Sequence, residues 1–562
     1  MKSLRKNICV PALLASILFI SSCQTDNRIE NTNLATSNQY SKSTEGMVSS
    51  ANPLATAAGK EILEQGGNAA DAAVATAFAL AVVEPEMSGL GGRLQAIIRT
   101  GSGDLHGIDA TTQAPMTYDP KTAPQAKYGY AVIGIPGVVA GLTKLNKDYG
   151  SLPLKVLMAP AIKYAEEGIN LLPGQAMRHA GYAKMLLESE GAKQYFIRSN
   201  DTVTYGSNDL LVQKDLAKTL KMIAENGPDA FYKGEIAEKM VADIAEHNGA
   251  VTMESLADYE ALDSKILSGS YRGHEVYGLW MPSFGAITIE ILQILENLPM
   301  GQYTDAEWAS AIYQAIKIAY EDRFKQISMA DGKYLLDVGE HLIEKEYAKE
   351  QAQRIQIGVP AEASILEYKQ EKYLAYSDKL SHTTHLSVAD KNGMVVSLTQ
   401  SLGPLLGSRV ATPGLGFLYA ATLGGYLGPM QPGQRAASHI SPMILTTGGE
   451  AYMGIGAAGG ARINSAIIQV ISRVVDQNLN LYEALEAARV HPLKEGLAIE
   501  THDSMAWHPD DLQFLRDNGF LLEEVALAFK FGRVHAVMKE GDKWVGAADP
   551  DGEGAARGPD MN

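Results

Sequence analysis

Apolar and polar positions follow two rhythms along this chain, and the change of rhythm divides it. From Ala55 to Val83 apolar residues recur at helical spacing, interrupted at Gly66-Gly67-Asn68 and resumed at Ala69. A glycine loop, Ser88-Gly89-Leu90-Gly91-Gly92, precedes an alternating stretch through Leu94, Ala96 and Ile98 that predicts a strand. Helical spacing with capping-type starts and lysines near the ends dominates residues 153–250. From residue 381 onward the pattern favours strands, at 394–401, 416–419, 442–446, 451–456 and 534–546. Helix-rich and strand-rich stretches in one chain predict helices packed outside a central pair of sheets.

The stretch Ser381–Ser401, SHTTHLSVADKNGMVVSLTQS, specifies a hairpin in detail. Its alternating arms flank Asp390-Lys391-Asn392-Gly393, and Asn-Gly between such arms is a strong turn signal. A three-residue loop with Gly393 in the left-handed position places Leu386 opposite Leu398 and Val388 opposite Val396. Every large apolar side chain except Val395 then shares one face. Thr383, His385, Ser387, Ser397, Thr399 and Ser401 gather on the other, with Thr383 across from Ser401. A two-residue loop would mix the faces, so the patterning selects the first register.

Two chemistries suggest themselves, and the strand period separates them. His382 and His385 lie three apart, which directs them to opposite faces of a strand and removes them as a joint metal-ligand pair. The Thr383–Ser401 pair remains, either as an ordinary hydroxyl-rich face or as a nucleophile with its partner. A second stretch, Gly454 to Arg462, closes a strand and opens a helix carrying Ile463, Ile467, Val470, Ile471 and Val474. Successive backbone N–H groups at such a helix start suit a phosphate or a developing oxyanion. No Lys-Ser/Thr follows, so it is not a nucleotide-binding loop.

Composition narrows the classes. Hydrophobic residues at 46% and charged residues at 20% describe a globular chain with ample core, and its formal charge of −17 carries no basic run for nucleic acid. Lys2, Arg5 and Lys6 precede a short apolar stretch ending in Ser21-Ser22-Cys23, which reads as a lipoprotein signal peptide over 1–22 with Cys23 lipidated. Residues 23–45 then read as a flexible tether, and the mature protein is expected on the periplasmic side of a bacterial membrane. The other cysteine, Cys9, leaves with the signal peptide, so no thiolate nucleophile, disulfide or cysteine-bound zinc remains. Nothing in the sequence calls for a metal or an organic cofactor.

Taken together, ANPLATAAGKEILEQGGNAADAAVATAFALAVVEPEMSGLGG, IPGVVAGL, AENGPDAFYKGEIAE, SHTTHLSVADKNGMVVSLTQS and GAAGGARI resemble the γ-glutamyltranspeptidase family of N-terminal nucleophile hydrolases, from about residue 46 to the final GAADPDGEGAA. The resemblance implies an α+β fold, a four-layer αββα sandwich. It also implies a precursor that cuts itself between His382 and Thr383. A large subunit, 46–382, and a small catalytic subunit, 383–562, would then form one unit as a heterodimer. Cleavage frees the Thr383 α-amine to activate its own hydroxyl, and an acyl-enzyme forms and is released by water or an amine. Ser401 occupies the position of the family threonine that bonds to the nucleophile, and Gly459 and Gly460 match the oxyanion-stabilising glycines.

The departures from the family concern recognition. Thr111 stands at the glutamate-binding arginine, Gly425 at the aspartate that grips the amino group, and Gly403 at an asparagine two residues past Ser401. Ser438 is kept from a serine pair, and His439 replaces its neighbour. Arg93 replaces a glycine of the glycine loop, and Arg409 follows the hairpin; either is a candidate to bind a carboxylate from a new direction. A zwitterionic glutamyl head needs charged partners, so the expectation is a small-molecule or peptide amide other than a standard γ-glutamyl compound. The alternatives are a standard γ-glutamyl transferase or glutathione hydrolase with substituted recognition residues, and a non-catalytic lipoprotein that retains the fold.

Overall fold

The computed structural model describes residues 39–559 apart from 199–200, 328, 331–332, 361–381, 428–429, 494, 502–506 and 527–529. The signal peptide and Cys23 therefore lie outside the described residues. Two seven-stranded antiparallel sheets form the centre. In chain order the strands are β1 (Tyr40–Ser43), β2 (Gly46–Ser50), β3 (Arg93–Arg99), β4 (Leu105–Ala110), β5 (Leu262–Asp263), β6 (Ile266–Tyr271) and β7 (His274–Leu279). They continue with β8 (Thr384–Asp390), β9 (Val395–Ser401), β10 (Met443–Thr447), β11 (Glu450–Ala458), β12 (Arg533–Glu540), β13 (Lys543–Ala548) and β14 (Ala555–Arg557). One sheet runs β14-β2-β8-β9-β3-β4-β5 and the other β1-β13-β12-β11-β10-β7-β6. Each sheet takes strands from both sides of the His382–Thr383 bond, so the two prospective fragments share both.

Helices cover the outer faces. On the first sheet lie α1 (Pro53–Glu64) and α2 (Ala69–Val83). Asn68 starts α2 with a capping box to Asp71, which accounts for the break in the periodic pattern. Every residue of α2 is buried, as an apolar surface all round requires. The two helices touch closely because Gly59 has no side chain; a Cβ there would stand 2.2 Å from Thr76 Oγ1. On the second sheet lie α3 (Gly285–Glu296) and α5 (Arg462–Asp476), and α4 (Asp305–Lys325) packs on those helices. Met47, Ile97, Leu279, Val395, Ile444, Val537 and Trp544 pack between the sheets. The result is the α+β, four-layer αββα sandwich.

The hairpin follows the predicted register, Leu386 against Leu398 and Val388 against Val396, with Gly393 at φ +83°. Its apolar face meets α2. Its hydroxyl face is buried against the second sheet, where Ser387 Oγ donates to the His535 carbonyl at 3.0 Å and Ser397 Oγ to that of Ile455 at 2.9 Å. Gly456 admits the His385 ring, since a Cβ would stand 2.3 Å from it.

Three local expectations change. Tyr40–Ser43 pairs with β13, so the tether does not extend to residue 45; backbone pairing here needs no apolar alternation. Residues 416–419 form only isolated bridges, through Leu418 and Tyr419. The 534–546 stretch is two strands joined by a turn at Gly541.

Candidate active site

Thr383 stands at the head of β8, immediately before the first ladder pair, and Ser401 ends the neighbouring strand. Their hydroxyls lie 3.0 Å apart and both residues are buried. Ser401 Oγ also accepts the Gly403 N–H at 2.9 Å. With that bond made, the Ser401 proton can point at Thr383 Oγ1, leaving the threonine's own proton available to a base. Thr383 has φ +140°, a backbone conformation costly for a β-branched residue. The strain sits at the bond that the family resemblance marks for cutting.

The glycine stretch lies beside this pair. β11 ends at Ala458, Gly459 and Gly460 make the turn, and Arg462 opens α5. Gly460 takes φ +58°, which a side chain would resist. Gly460 and Ala461 line a cavity of about 270 Å³ together with Thr383 and Ser401. Ser438, His439 and Arg93 line it too, so three of the four candidate substrate residues meet at Thr383.

Arg409 does not. Its guanidinium stacks on Tyr128, 3.3 Å from the ring centroid, with Tyr182 at 5.6 Å. The aromatic pair fixes it away from the cavity, and its candidacy as a carboxylate ligand is withdrawn. Thr111 is turned aside as well, its hydroxyl and N–H both bonded to Asp109.

Arg93 explains the change at Gly403. Arg93 is buried and donates from Nη2 to the Ala421 carbonyl at 2.5 Å, while its Nε has no hydrogen-bond partner. A Cβ at Gly403 would stand 3.0 Å from that Nη2 and 3.0 Å from Tyr426 Cε1, at φ +90°. The side chain lost at 403 and the one gained at 93 thus occupy adjoining space. Gly403→Asn alone is expected to reduce soluble protein and turnover, and Arg93→Gly added to it should restore solubility. Yield and melting temperature of the single and double variants read this out.

The other walls come from distant segments: Phe284, Arg323, Phe324, Ile327, Tyr426 and Leu427. Tyr426 and the α4 residues Arg323 and Phe324 were missed by sequence reasoning, because no local pattern marks them. His439 packs on Phe284 with ring centroids 4.8 Å apart. Burial, with the nearby Arg323 charge, pushes its imidazole down to about 4, so it is neutral at pH 7. His385, bonded to Thr399 and Ser387, is pushed by burial to about 3. Among the described residues no acidic side chain lines the cavity.

A buried threonine hydroxyl at the head of a central strand of an αββα sandwich, bonded to a serine hydroxyl on the next strand, agrees with the class that the chain's relatives define: the protein is an enzyme, an amidohydrolase or acyltransferase of the N-terminal nucleophile type. The sequence profile described as Gamma-glutamyltranspeptidase matches residues 55–558, and the chain belongs to that family. It is 34% identical over 537 residues to the glutathione hydrolase proenzyme of Escherichia coli, covering 90% of each chain. It is 32% identical over 499 residues to the acylase ACY 1 proenzyme of Pseudomonas sp. strain SE83, covering 82% of this chain and 84% of that one. The crystal structure of cephalosporin acylase from Bacillus halodurans superimposes with a TM-score of 0.82 at 27% identity, over 93% of this chain and 97% of that one.

Proposed function

We propose that the protein cuts its own chain between His382 and Thr383 and then hydrolyses amides whose acyl part ends in a carboxylate and carries no ammonium group. Relatives named as proenzymes support the first half. The observation that carries the second is the cavity at Thr383, which offers the Arg93 and Arg323 side chains and apolar walls but, among the described residues, no carboxylate. An α-ammonium group entering there would be desolvated without a partner, at a cost of several kcal/mol.

In the reaction the freed α-amine of Thr383 takes the hydroxyl proton, and Oγ1 adds to the substrate carbonyl carbon. Ser401 donates to that oxygen. The N–H groups of Gly459 and Gly460 receive the oxyanion, a contribution of about 3 kcal/mol per donor in other enzymes. The amine leaves with the proton, and water cleaves the ester to regenerate Thr383. Arg93 holds the distal carboxylate, with Ser438 and the neutral His439 beside it.

A second reading, ordinary γ-glutamyl hydrolysis, has the 34% identity to a glutathione hydrolase in its favour. Glutaryl and γ-glutamyl 4-nitroanilides differ only by the ammonium group and separate the two. Faster release of nitroaniline from the glutaryl compound is expected; faster release from the γ-glutamyl compound contradicts the proposal and establishes the second reading.

The N-terminal segment supports a lipid anchor on Cys23 at the periplasmic side of a bacterial membrane, from its basic start and the small residues before the cysteine. Labelled fatty acid should enter the wild-type chain and not Cys23→Ser; equal labelling of both contradicts the anchor.

A further inference from the structure

Behind the scissile bond, away from Thr383 Oγ1, lies a buried polar cluster that the reaction above does not use. Glu84 caps α2, its N–H donating to the Leu80 carbonyl at 2.9 Å and its own carbonyl accepting from Met87 and Ser88. The same turn holds the segment after Ser401, since the carbonyls of Met87 and Glu86 accept the N–H groups of Leu402 and Leu406. Glu84 is therefore rigidly connected to the strand that carries the nucleophile's partner. Arg533, at the start of β12, places Nη1 3.7 Å from Glu84 Oε1, both side chains being almost wholly buried. The Thr384 hydroxyl faces the Glu84 carboxyl, and the His382 ring faces Arg533 and Arg178.

The cluster contains two carboxylates in contrasting states. Glu86 is fully engaged, accepting from Arg178 at 2.9 and 3.1 Å and lying 3.3 Å from His179 Nε2. Glu84 Oε2, Thr384 Oγ1, His382 Nδ1 and Arg533 Nε and Nη2 are buried without hydrogen-bond partners. Groups left unpaired in a protein interior usually have work to do there. Those atoms belong to or face His382 and Thr384, the residues on either side of Thr383.

We propose that Glu84, backed by Arg533, is a positioning residue for self-cleavage: its unpartnered Oε2 takes up the Thr384 hydroxyl, likewise unpartnered in the structure, as the chain enters the attacking geometry, and so sets the Thr383–Thr384 peptide, with the attacking hydroxyl, against the His382 carbonyl. The proposal rests on the self-cleavage reading above. In that cleavage Thr383 Oγ1 bonds to the His382 carbonyl carbon, the C–N bond breaks, and the hydroxyl proton passes to the departing nitrogen. Water then splits the ester, leaving a carboxylate on His382, the hydroxyl on Thr383 and the released proton on its amine. Glu84 exchanges no atom in these steps; it acts through Thr384.

The role has a pH signature. Burial raises the Glu84 carboxyl to about 7 against the pull of Arg533, with Glu86 reinforcing the rise and Arg178 opposing it. Glu86, despite burial, is drawn down to about 2 by Arg178 and His179. The remaining charged groups around the pair are Asp549 near Arg533 and Glu553 near Arg178. His382 is pushed to about 3 by burial and the two arginines, and the uncut chain has no α-amine at Thr383. Below about pH 7 a neutral Glu84 no longer pairs with Arg533, which keeps only the more weakly placed Asp549 and Glu86 charges, and its carboxyl becomes a poorer acceptor for Thr384. Cleavage should therefore accelerate as pH rises through that value.

The test is full-length precursor made by cell-free translation and transferred to buffers from about pH 5.5 to 8.5, bracketing the ordinary histidine and amine range, with the two fragments followed by SDS-PAGE. Wild-type cleavage should show the inflection near pH 7. Glu84→Gln should cut slowly and without it, roughly 10- to 100-fold slower at the alkaline end, the usual cost of a misplaced reacting group. Glu84→Asp should keep an inflection, and Glu86→Gln should lower the melting temperature and move the inflection to lower pH without abolishing it, since the Glu86 charge helps hold the Glu84 carboxyl up. A Glu84→Gln chain with wild-type rate and inflection overturns the proposal, as does a Glu84→Asp chain that cuts with no inflection. Wild-type chain that never cuts overturns the self-cleavage reading instead.

Discussion

Thr383→Ala is expected to yield one uncut chain and no measurable amide turnover. The alanine removes the hydroxyl that lies 3.0 Å from Ser401 Oγ, beside the peptide bond proposed for cutting. Without it neither the internal ester nor the acyl-enzyme can form, and loss of a nucleophile typically lowers kcat by about six orders of magnitude. Thr383→Ser separates chemistry from backbone strain. It keeps the hydroxyl and gives up the β-branch that makes φ +140° costly, so it should still cut, more slowly. SDS-PAGE of both variants beside an amide assay reads the result. Turnover by an uncut Thr383→Ala chain would place the nucleophile elsewhere.

Arg93→Leu should raise KM for a glutaryl anilide by roughly 100-fold with little change in kcat, the scale expected when one partner of a desolvated charge pair is removed. Hydrolysis of a neutral butyryl anilide should be unchanged or faster, because Arg93 is buried and the leucine fills the space with apolar surface. The split between charged and neutral acyl groups distinguishes carboxylate binding from support of the fold. Equal losses on both substrates would assign Arg93 to packing, through its bond to the Ala421 carbonyl.

The hairpin was legible from sequence because its information is local. A period of two fixes which side chains share a face, and the Asn-Gly turn fixes the register, so Thr383 and Ser401 meet as derived. The direction of the hydroxyl face was not legible. Ser387 and Ser397 are satisfied by carbonyls of the opposing sheet, contacts that depend on how two sheets stack. The recognition residues divide the same way. Arg93 and Gly403 were each visible as departures from the family pattern, yet only the folded chain shows that one occupies space the other vacates. Arg409 looked equivalent in sequence, and its capture by Tyr128 comes from a segment about 280 positions earlier, a pairing no periodicity could reveal. Glu84 gave no signal at all, since a carboxylate after a helical run reads as a cap until its burial against Arg533 is seen.

The proposed chemistry depends first on the bond between His382 and Thr383. N-terminal sequencing of the smaller band from purified wild-type protein tests it most directly. A fragment of 180 residues beginning Thr383-Thr384-His385 is predicted. A single uncut chain with full amide turnover, or a smaller fragment that begins at any other residue, would contradict it.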